Sequence, residues 1–423
     1  MDKRLIYFFY SLIQAILFFL FLIFSRTRRS HFASIRSRMG FFIFPKMRRP
    51  IWIHAVSVGE VLSVKRLISR IRQEFPDEPI VLSTITPTGQ QVVRSPDYQT
   101  DALLFFPFDI GFCVNRFLNC VNPRMIVIAE TEIWPHFLRA CRLRNIPVLW
   151  VNGRISDQSY PRYLWIRGLL KRVLNRYTVI GMQTDVDRQR VIALGADPKK
   201  VLVMGNFKYD MPFLPVTLDP KLSAILSASD PLWIAASTMP SEEMMILDAY
   251  RKLIVRHPSL RLLIAPRHPE RFDEVLSLIK KSGFSFARRS NLQGACQVIL
   301  LDSLGELAAT FSFARVVFVG GSLVPCGGHN ILEPAFFSKP ILFGPHMENF
   351  LEISERFLRE KAAIVVGSPE ALISEMDRVL SEKALASQLG ENARKIVGEN
   401  QGATEKTVSL IRVQMGGATP GGE

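Results

Sequence analysis

Short apolar runs alternate with amphipathic stretches of helical length along most of the chain after Pro50. Strands of a parallel sheet are covered on both faces, so they read as continuous apolar runs, and their alternation with helices indicates βαβ units. The predicted strands of the first half are 51–55, 80–84, 103–107, 125–130, 148–152, 179–183 and 201–206. A second series follows at 232–237, 261–266, 297–301, 316–321, 340–344 and 363–367.

Helical periodicity occupies the intervals between these runs. It predicts helices at Leu62–Glu74, Phe137–Asn145, Tyr163–Asn175, Asp187–Leu194, Glu242–Val255 and Arg271–Lys281. Four prolines between the two series predict an interdomain connection over 211–231. The predicted fold class is therefore α/β, with two doubly wound, Rossmann-like domains at 50–210 and 232–423. Ligands of such folds bind beyond the carboxyl ends of the strands, so we expect a cleft between two facing domains.

The segment that precedes these domains has a different pattern. Leu5 to Phe24 is a run of 20 residues without a charge, long enough as a helix to cross a hydrocarbon core of about 30 Å. We interpret residues 1–49 as a membrane anchor with a basic tether, although a cleaved signal peptide or a helix lying in the interface are alternatives. Eight Lys and Arg residues and no acid lie between Arg26 and Arg49, which predicts a cytoplasmic location for the domains and contact with anionic lipids.

Charge and cysteine content narrow the classes of partner. The chain has 423 residues and a formal net charge of +15, and its first 50 residues hold ten basic residues against Asp2 alone. The remainder has 43 basic and 37 acidic residues, a net charge of only +6. With no basic stripe interleaved with aromatic residues, nothing indicates nucleic acid. Five cysteines without a Cys-x-x-Cys spacing indicate neither a disulfide framework nor a zinc site.

Charged side chains follow three strands of the first predicted domain. Glu60 comes after the first strand, beyond a turn that Gly59 permits, and Glu130 ends the apolar run MIVIA. Lys208 follows the last strand of this domain. A carboxylate at a helix start is favoured by the helix dipole alone, so for Glu60 a capping role is the alternative to a catalytic one. An acid at the end of so apolar a strand indicates a partner or a function, and a cation at the same edge suits an anionic substrate.

The second predicted domain offers groups that bind anions. Ser237 and Thr238 precede a helix start, and Arg267 directly follows a strand. A glycine-rich loop containing Gly321 leads to Asn330 and Glu333, and such a loop lets backbone N–H groups approach a phosphate. Glu333 could belong to a capping box with Asn330, accept the hydroxyls of a ribose, or do both.

Other motifs are discounted. Asp185 and Asp187 resemble the Asp-x-Asp pair with which some sugar transferases hold a metal, but they open a predicted helix after Thr184, and capping explains them. Neither G-x-G-x-x-G with a distal acid nor G-x-x-x-x-G-K-[ST] occurs, which disfavours dehydrogenases and P-loop NTPases.

Taken together, the anchor and a series of motifs over nearly the whole chain resemble the 3-deoxy-D-manno-octulosonic acid (Kdo) transferases of lipopolysaccharide synthesis. The motifs are HAVSVGE, AETEIWP, NGRISDQSYPRY, GNFKYD, APRHPERF and VGGS…GGHNILEPA, with Ala-Ser-Thr before Glu242 and Glu243. The resemblance implies a glycosyltransferase-B fold and transfer of Kdo from CMP-Kdo to the lipid A precursor, with inversion and without a cofactor or a protein-bound metal. It implies a location at the bacterial inner membrane, with the domains on its cytoplasmic side.

The same resemblance implies roles for individual residues. Glu60 matches the general base, and Glu130 and Lys208 match positions that stabilise the transition state. The positions that match the nucleotide site are Pro266, Arg267, Gly305, Glu306, Leu307, Asn330, Ile331, Leu332 and Glu333. Met239 and Ser241 stand where the family commonly has His and Gly, although Glu242 and Glu243 are retained.

Two other functions remain open from the sequence. One is a glycosyltransferase-B enzyme that uses a UDP-sugar, as in peptidoglycan precursor synthesis. The other is a non-catalytic membrane-bound scaffold with a vestigial nucleotide cleft. The carboxylates and cations at the strand ends favour an enzyme over the scaffold.

Overall fold

The computed structural model describes residues 10, 14, 30–95, 98–210, 218–227, 230–292, 294 and 296–416. The chain divides into two compact units, Met1–Met211 with Asn400–Glu423, and Pro212–Glu399. The predicted anchor at 5–24 lies outside the described residues except for Tyr10 and Gln14. In the described part of the chain, no helix has both the length and the apolar character needed to cross a membrane.

The first unit contains a seven-stranded parallel sheet. Its strands have the order β3-β2-β1-β4-β5-β6-β7, so the direction of winding reverses between β1 and β4. The strands are β1 Ile51–His54, β2 Ile80–Thr84, β3 Ala102–Phe105, β4 Met125–Ala129, β5 Val148–Gly153, β6 Val179–Met182 and β7 Val201–Val203. Buried apolar residues alternate between two core clusters, one on each face of this sheet. The near-continuous apolar runs of the sequence are explained by this double coverage.

Helices cover both faces of the first sheet. They are α1 Ser30–Arg38, α2 Val58–Glu74, α3 Pro87–Val93, α4 Gly111–Val121, α5 Pro135–Leu143, α6 Ser159–Trp165, α7 Arg167–Leu174 and α8 Asp185–Ala193. In α2, the buried residues recur at helical spacing and form the face that packs on the sheet: Val61, Val64, Leu67, Ile68 and Ile71.

The second unit repeats the architecture with a second seven-stranded parallel sheet of order β10-β11-β9-β8-β12-β13-β14. Its strands are β8 Leu232–Thr238, β9 Arg261–Pro266, β10 Phe286–Arg288, β11 Val298–Leu300, β12 Val316–Val319, β13 Ile341–Phe343 and β14 Ile364–Val365. The helices from here to the end of the chain are α9 Pro220–Leu226, α10 Glu242–Arg256, α11 Phe272–Ser282, α12 Leu307–Thr310, α13 Leu332–Phe336, α14 Leu351–Arg359, α15 Pro369–Ser381, α16 Lys383–Asn400 and α17 Ala403–Gln414.

The last helix belongs to the first unit, although the sequence predicts a second domain that extends over all of 232–423. The reason is a specific cap: Asp210, at the end of the first unit, accepts hydrogen bonds from the N–H groups of Gly402 (2.6 Å) and Thr404 (2.5 Å). Arg412 of α17 also pairs with Glu74 of α2 at 2.5 Å. Helix α17 therefore packs beside α2 on the same face of the first sheet.

Two other segments differ from the predictions. The predicted connection 211–231 contains α9, which begins at Pro220 because Asp219 caps it. The single helix predicted at Tyr163–Asn175 is two helices, since Ile166 leaves helical geometry (φ −105°, ψ 19°) between α6 and α7.

Candidate active site

Glu60 lies in the first turn of α2, at the carboxyl end of β1. Ser57 is the N-cap of this helix and its hydroxyl accepts the Glu60 N–H, while the Glu60 carboxylate accepts the N–H of Val56 at 2.7 Å and the Ser57 hydroxyl at 3.2 Å. The capping role considered for Glu60 is therefore real. The carboxylate remains half-buried rather than enclosed, and each oxygen keeps a further lone pair for a substrate hydroxyl.

Two more carboxylates follow β4, the strand that pairs with β1. Glu130 has a left-handed backbone (φ 56°), a strained conformation for a residue with a side chain. Buried aromatic residues hold this segment: Trp150 donates its indole N–H to the Glu130 carbonyl, and Tyr177 donates its hydroxyl to the Glu132 carbonyl at 2.6 Å. The rings of Trp150 and Tyr177 also contact each other, with centroids 5.4 Å apart.

The pKa values of two of these glutamates are raised towards neutrality. Burial is the main cause of a pKa of about 7 for Glu60, and the charge of Glu130 adds to it against the opposing Val56 hydrogen bond. Burial, followed by the charge of Glu60, raises the pKa of Glu132 to about 8. Glu60 therefore ionises first, while Glu132 still holds its proton. A glutamate with a pKa near 7 is suited to accept a proton at neutral pH.

The structure brings Glu60 and Glu130 together but places Lys208 at another strand. Lys208 follows β7 in a 3-10 turn, Phe207–Tyr209, and its side chain is exposed. β7 lies three strands from β4, or about 14 Å at the usual strand spacing. Arg66 of α2 donates to the Asp210 carbonyl at 2.5 Å, so this turn packs on the helix that carries Glu60.

Glu132 was not among the residues singled out from the sequence. The sequence contains a signal for Glu132, because the strand MIVIA is followed by two acids, Glu130 and Glu132, separated by one residue.

His54 ends β1 but is completely buried, and its ring stacks on Phe106 at 3.8 Å. Burial lowers the pKa of His54 to about 3, so it is a neutral core residue.

In the second unit, the backbone N–H groups at the start of the glycine-rich loop, from Gly321 to Leu323, already have a partner. The buried carboxylate of Glu242 accepts the N–H groups of Met239 (2.9 Å), Gly321 (2.7 Å), Ser322 (3.1 Å) and Leu323 (3.0 Å). The expectation that the Gly321 amide faces a phosphate is therefore wrong. Glu242 takes the place that an anionic ligand would occupy and fixes the loop to the start of α10.

The hydroxyl of Thr238, at the end of β8, belongs to a hydrogen-bonded group inside the second unit. The completely buried Thr238 donates its hydroxyl to Glu243 at 2.7 Å. Arg271 binds the same carboxylate with two hydrogen bonds, at 2.7 and 3.0 Å. The Thr238 hydroxyl is thus engaged inside the protein. Ser237 is half-exposed, with a left-handed backbone (φ 55°) at the end of the strand.

Arg267, Asn330 and Glu333 are brought together at the same edge of the second sheet. Asn330 donates its amide to Glu333 at 3.0 Å and accepts the N–H of Leu332 at 3.0 Å. Burial raises the pKa of Glu333, and the positive charge of Arg267 opposes the rise. The Arg267 side chain is exposed, so its guanidinium is available for an anion. Pro266 ends β9 directly before it, and Ile331 is buried behind Asn330.

The segment Gly305–Leu307 opens a helix of only four residues, α12. Gly305 has a positive φ of 86°, and Glu306 accepts two hydrogen bonds from Arg289, at 2.8 and 2.9 Å. This ion pair holds the segment in place, so the groups left for a ligand there belong to the backbone.

The Asp-x-Asp pair opens α8, as the sequence predicts. Thr184 caps α8, and Asp187 accepts the N–H of Ile155 at 2.8 Å. Among the described residues, no group of three or more His, Cys, Asp and Glu side chains is arranged to hold a metal ion.

The two parallel-sheet α/β units have the fold of the glycosyltransferase-B class. MurG of Acinetobacter baumannii aligns over 86% of this chain and 100% of its own, with a TM-score of 0.56 and 14% identity. Such a distant likeness concerns the fold alone, and it confirms the predicted class for the two units.

Sequence comparison defines the family. A family model described as 3-Deoxy-D-manno-octulosonic-acid transferase (kdotransferase) matches residues 33–211. The 3-deoxy-D-manno-octulosonic acid transferase of Haemophilus influenzae is 36% identical over 386 residues, covering 89% of this chain and 90% of the relative. The C-terminal CMP-Kdo binding domain of WaaA from Acinetobacter baumannii is 34% identical, covering 41% of this chain and 93% of that domain, with a TM-score of 0.40. The chain belongs to the 3-deoxy-D-manno-octulosonic acid transferase family and is a glycosyltransferase of that family.

Proposed function

We propose that this protein transfers Kdo from CMP-Kdo to the lipid A precursor (lipid IVA) in lipopolysaccharide biosynthesis, with inversion at the anomeric carbon and with Glu60 as the general base. The observation that carries the proposal is the half-buried Glu60 carboxylate, whose pKa of about 7 suits proton transfer, in a chain of the Kdo transferase family. The first unit receives the acceptor and the second unit receives the donor.

In the proposed reaction, an acceptor hydroxyl attacks the anomeric carbon of Kdo from the face opposite the phosphate. Glu60 takes the hydroxyl proton, the new C–O bond forms, and the bond to phosphate breaks with its electron pair leaving on CMP. Positive charge develops at the anomeric carbon, and a carboxylate such as Glu130 stabilises it. Lys208, whose cation is exposed, balances the negative charge of the Kdo carboxylate or of the departing CMP.

For the donor, we propose that Arg267 binds the phosphate and that Glu333 accepts the ribose hydroxyls. The support is the exposed guanidinium of Arg267 beside a carboxylate whose orientation Asn330 fixes. Backbone groups of Pro266, of Gly305–Leu307 and of Ile331–Leu332 would complete the site. Ser237 and the Gly321 loop contribute the shape of the site, since the Gly321 N–H is committed to Glu242.

Nucleotide selectivity separates this proposal from a UDP-sugar enzyme. A ligand at about 100 times its dissociation constant stabilises the folded state by about 2.7 kcal/mol. We expect CMP to raise the melting temperature of the protein and UDP at the same concentration to leave it unchanged. Protection by UDP alone would favour the UDP-sugar enzyme, and protection by neither nucleotide would favour the scaffold.

The pH dependence of kcat/KM tests the ionisation order of the carboxylates. The base must be deprotonated, so activity should fall as the pH drops below about 7, the pKa of Glu60. Glu130→Gln removes a negative charge beside Glu60 and should move this midpoint to lower pH. Glu132→Gln should leave the midpoint in place, because Glu132, with a pKa of about 8, is still protonated when Glu60 ionises. Equal shifts in both variants would contradict this order.

The hydrogen bond from Tyr177 to the segment that carries Glu130 and Glu132 should affect turnover as well as stability. Tyr177→Phe removes the hydrogen bond to the Glu132 carbonyl and should cost about 1–3 kcal/mol of folding free energy. A misplaced catalytic segment should also lower kcat about tenfold or more. Tyr250→Phe in the second unit is a matched control, since Tyr250 is equally buried and donates to the Leu260 carbonyl at the same 2.6 Å. Equal kcat values for the two variants would show that Tyr177 has only a structural role.

We also propose that residues 1–49 attach the enzyme to the cytoplasmic side of the bacterial inner membrane. The support is the uncharged run of 20 residues followed by eight basic residues. Fractionation of the full chain between membrane and soluble fractions tests this attachment separately from catalysis.

A further inference from the structure

The end of β5 contains a bulge at Asn152. The register between β5 and β6 shifts between Trp150 and Gly153, and Asn152, inside this shift, has a left-handed backbone (φ 54°). Asparagine tolerates this region of the backbone better than most residues with a side chain. A bulge redirects a side chain at the end of a strand, so the contacts of Asn152 show what this bulge holds in place.

Asn152 is hydrogen-bonded to the turn that carries Lys208. Its Oδ1 accepts the N–H of Phe207 at 3.1 Å, and its carbonyl accepts the Nε2 of Gln183 at 3.1 Å. The Oε1 of Gln183 accepts the Nδ2 of Asn206 at 2.9 Å, and the Oδ1 of Asn206 accepts the Lys208 N–H at 2.9 Å. These hydrogen bonds form an amide network that runs from the bulge, past the end of β6, to the backbone of Lys208.

Backbone groups fix the orientation of each amide in this network. A backbone N–H group requires an oxygen, so the Lys208 N–H orients the Asn206 amide and the Phe207 N–H orients the Asn152 amide. The Asn206 nitrogen then requires the oxygen of Gln183. Asn152 and Gln183 are only 1% and 6% exposed. Because loss of one acceptor would leave a buried N–H group unpaired, the network favours a single geometry of the turn.

The side chains on both sides of Lys208 are buried. Phe207 and Tyr209 are each 4% exposed, whereas Lys208 is exposed. The end of the turn is held by Asp210, whose carbonyl accepts a hydrogen bond from Arg66 at 2.5 Å. The position of the Lys208 ammonium group therefore depends on the geometry of this turn.

The same end of β5 contacts the segment of Glu130. The Val151 carbonyl accepts the Glu130 N–H at 3.0 Å, and Trp150 donates its indole N–H to the Glu130 carbonyl. The last residues of β5 thus contact both segments, that of Glu130 through Trp150 and Val151 and that of Lys208 through Asn152.

We propose that Asn152 and Gln183 are positioning residues of the transfer reaction, which act through Lys208 by holding the turn that carries it. The proposal rests on the proposed function, in which Lys208 balances the negative charge of the donor. Misplacing a catalytic group by about 1 Å can lower a rate about 10²-fold. Removal of the amide network should therefore lower kcat.

Asn152→Gly removes the network without straining the backbone, because glycine adopts a positive φ readily but offers no acceptor to the Phe207 N–H. We expect kcat to fall about tenfold or more. Asn152→Asp keeps an acceptor oxygen, and the Nδ2 that it removes has no hydrogen-bond partner in the described part of the chain, so its kcat should exceed that of Asn152→Gly. Asn145→Gly is the matched control: Asn145 has the same φ of 54° but is exposed, and its replacement should leave kcat unchanged.

A double-mutant cycle with Lys208 separates positioning from a general loss of stability. Lys208→Ala alone should lower kcat about 10²-fold. Adding Asn152→Gly should lower it no further, because the network then has no ammonium group to place. In the Glu130→Gln background, Asn152→Gly should still lower kcat about tenfold. Gln183→Leu should behave as Asn152→Gly does in both backgrounds.

Hydrogen exchange provides a readout that needs no transfer activity. The amides of Phe207 and Lys208 should exchange about tenfold faster in Asn152→Gly than in the wild type and at the wild-type rate in Asn145→Gly. If the wild type transferred no Kdo, the proposed function would fail, while faster exchange would still show that the network holds the turn. A wild-type kcat in Lys208→Ala would remove the role of Lys208 and this proposal together.

Three further results would overturn the proposal. Unchanged exchange in Asn152→Gly would mean that the network does not hold the turn. An equal loss of kcat from Asn152→Gly with and without the Lys208 ammonium group would mean that Asn152 has only a structural role. A loss that disappears in the Glu130→Gln background instead would show that Asn152 acts through Glu130.

Discussion

Replacing Glu60 by Gln should lower the rate of Kdo transfer about 10³-fold, because Gln keeps the shape of the side chain but cannot accept the proton of the attacking hydroxyl. The loss should fall on kcat, with the KM for either substrate changed little. The measurement is the initial rate of product formation at pH 8, where most of the wild-type Glu60 is ionised. A variant that retained a tenth or more of the wild-type rate would exclude Glu60 as the base.

The stability of this variant provides its control. The folded-state pKa of Glu60 is raised, from 4.5 to about 7, so the folded protein favours the protonated carboxyl. The stability from this group is fully present below pH 4.5 and is lost as the pH rises through 7. Gln resembles the protonated form, so Glu60→Gln should melt at a temperature equal to or above that of the wild type at pH 8. A lower melting temperature would mean that the loss of activity reflects misfolding.

Replacing Glu242 by Gln should lower the stability of the second unit and weaken its binding of CMP. The change puts an NH2 group opposite two of the four N–H groups that the carboxylate now accepts. Buried donors left without an acceptor cost about 1–3 kcal/mol each, so we expect a loss of about 3 kcal/mol in the free energy of unfolding. The same change should release the loop at Gly321 and weaken the binding of CMP.

Urea unfolding and CMP titration of this variant measure the two effects. Glu382→Gln is the control, since Glu382 is an exposed acid of the same unit and its replacement should alter neither quantity. If Glu242→Gln were as stable as Glu382→Gln, the Glu242 carboxylate would not be what holds the loop.

Much of the fold followed from local patterns. Strands such as Met125–Ala129 and Val316–Val319 lie inside the apolar runs of the sequence, because a strand covered on both faces is built mainly of apolar residues. The strand Phe286–Arg288 escaped prediction, since it has three residues and Phe286 is partly exposed. The break at Ile166 has no proline or glycine at that position to mark it, and the position of the last helix depends on Asp210, about 190 residues earlier in the chain.

Site residues could be predicted where they follow the end of a strand. They could not be predicted where their role depends on hydrogen-bond partners far away in the sequence. Glu60 and Glu130 could be placed at one edge because parallel strands end together. The role of Glu242 could not be inferred, because its four N–H partners come from two segments about 80 residues apart. The left-handed backbone at Glu130 likewise depends on Trp150 and Tyr177, which no local pattern connects with it.

The central claim is tested most directly by the mass of the product. The purified full chain would be incubated with CMP-Kdo and lipid IVA, in parallel with Glu60→Gln, and the lipid fraction examined by mass spectrometry. We predict that lipid IVA gains the mass of at least one Kdo residue with the wild type and gains none in the same time with the variant. An unchanged lipid mass with folded, CMP-binding wild-type protein would contradict the assignment of donor and acceptor.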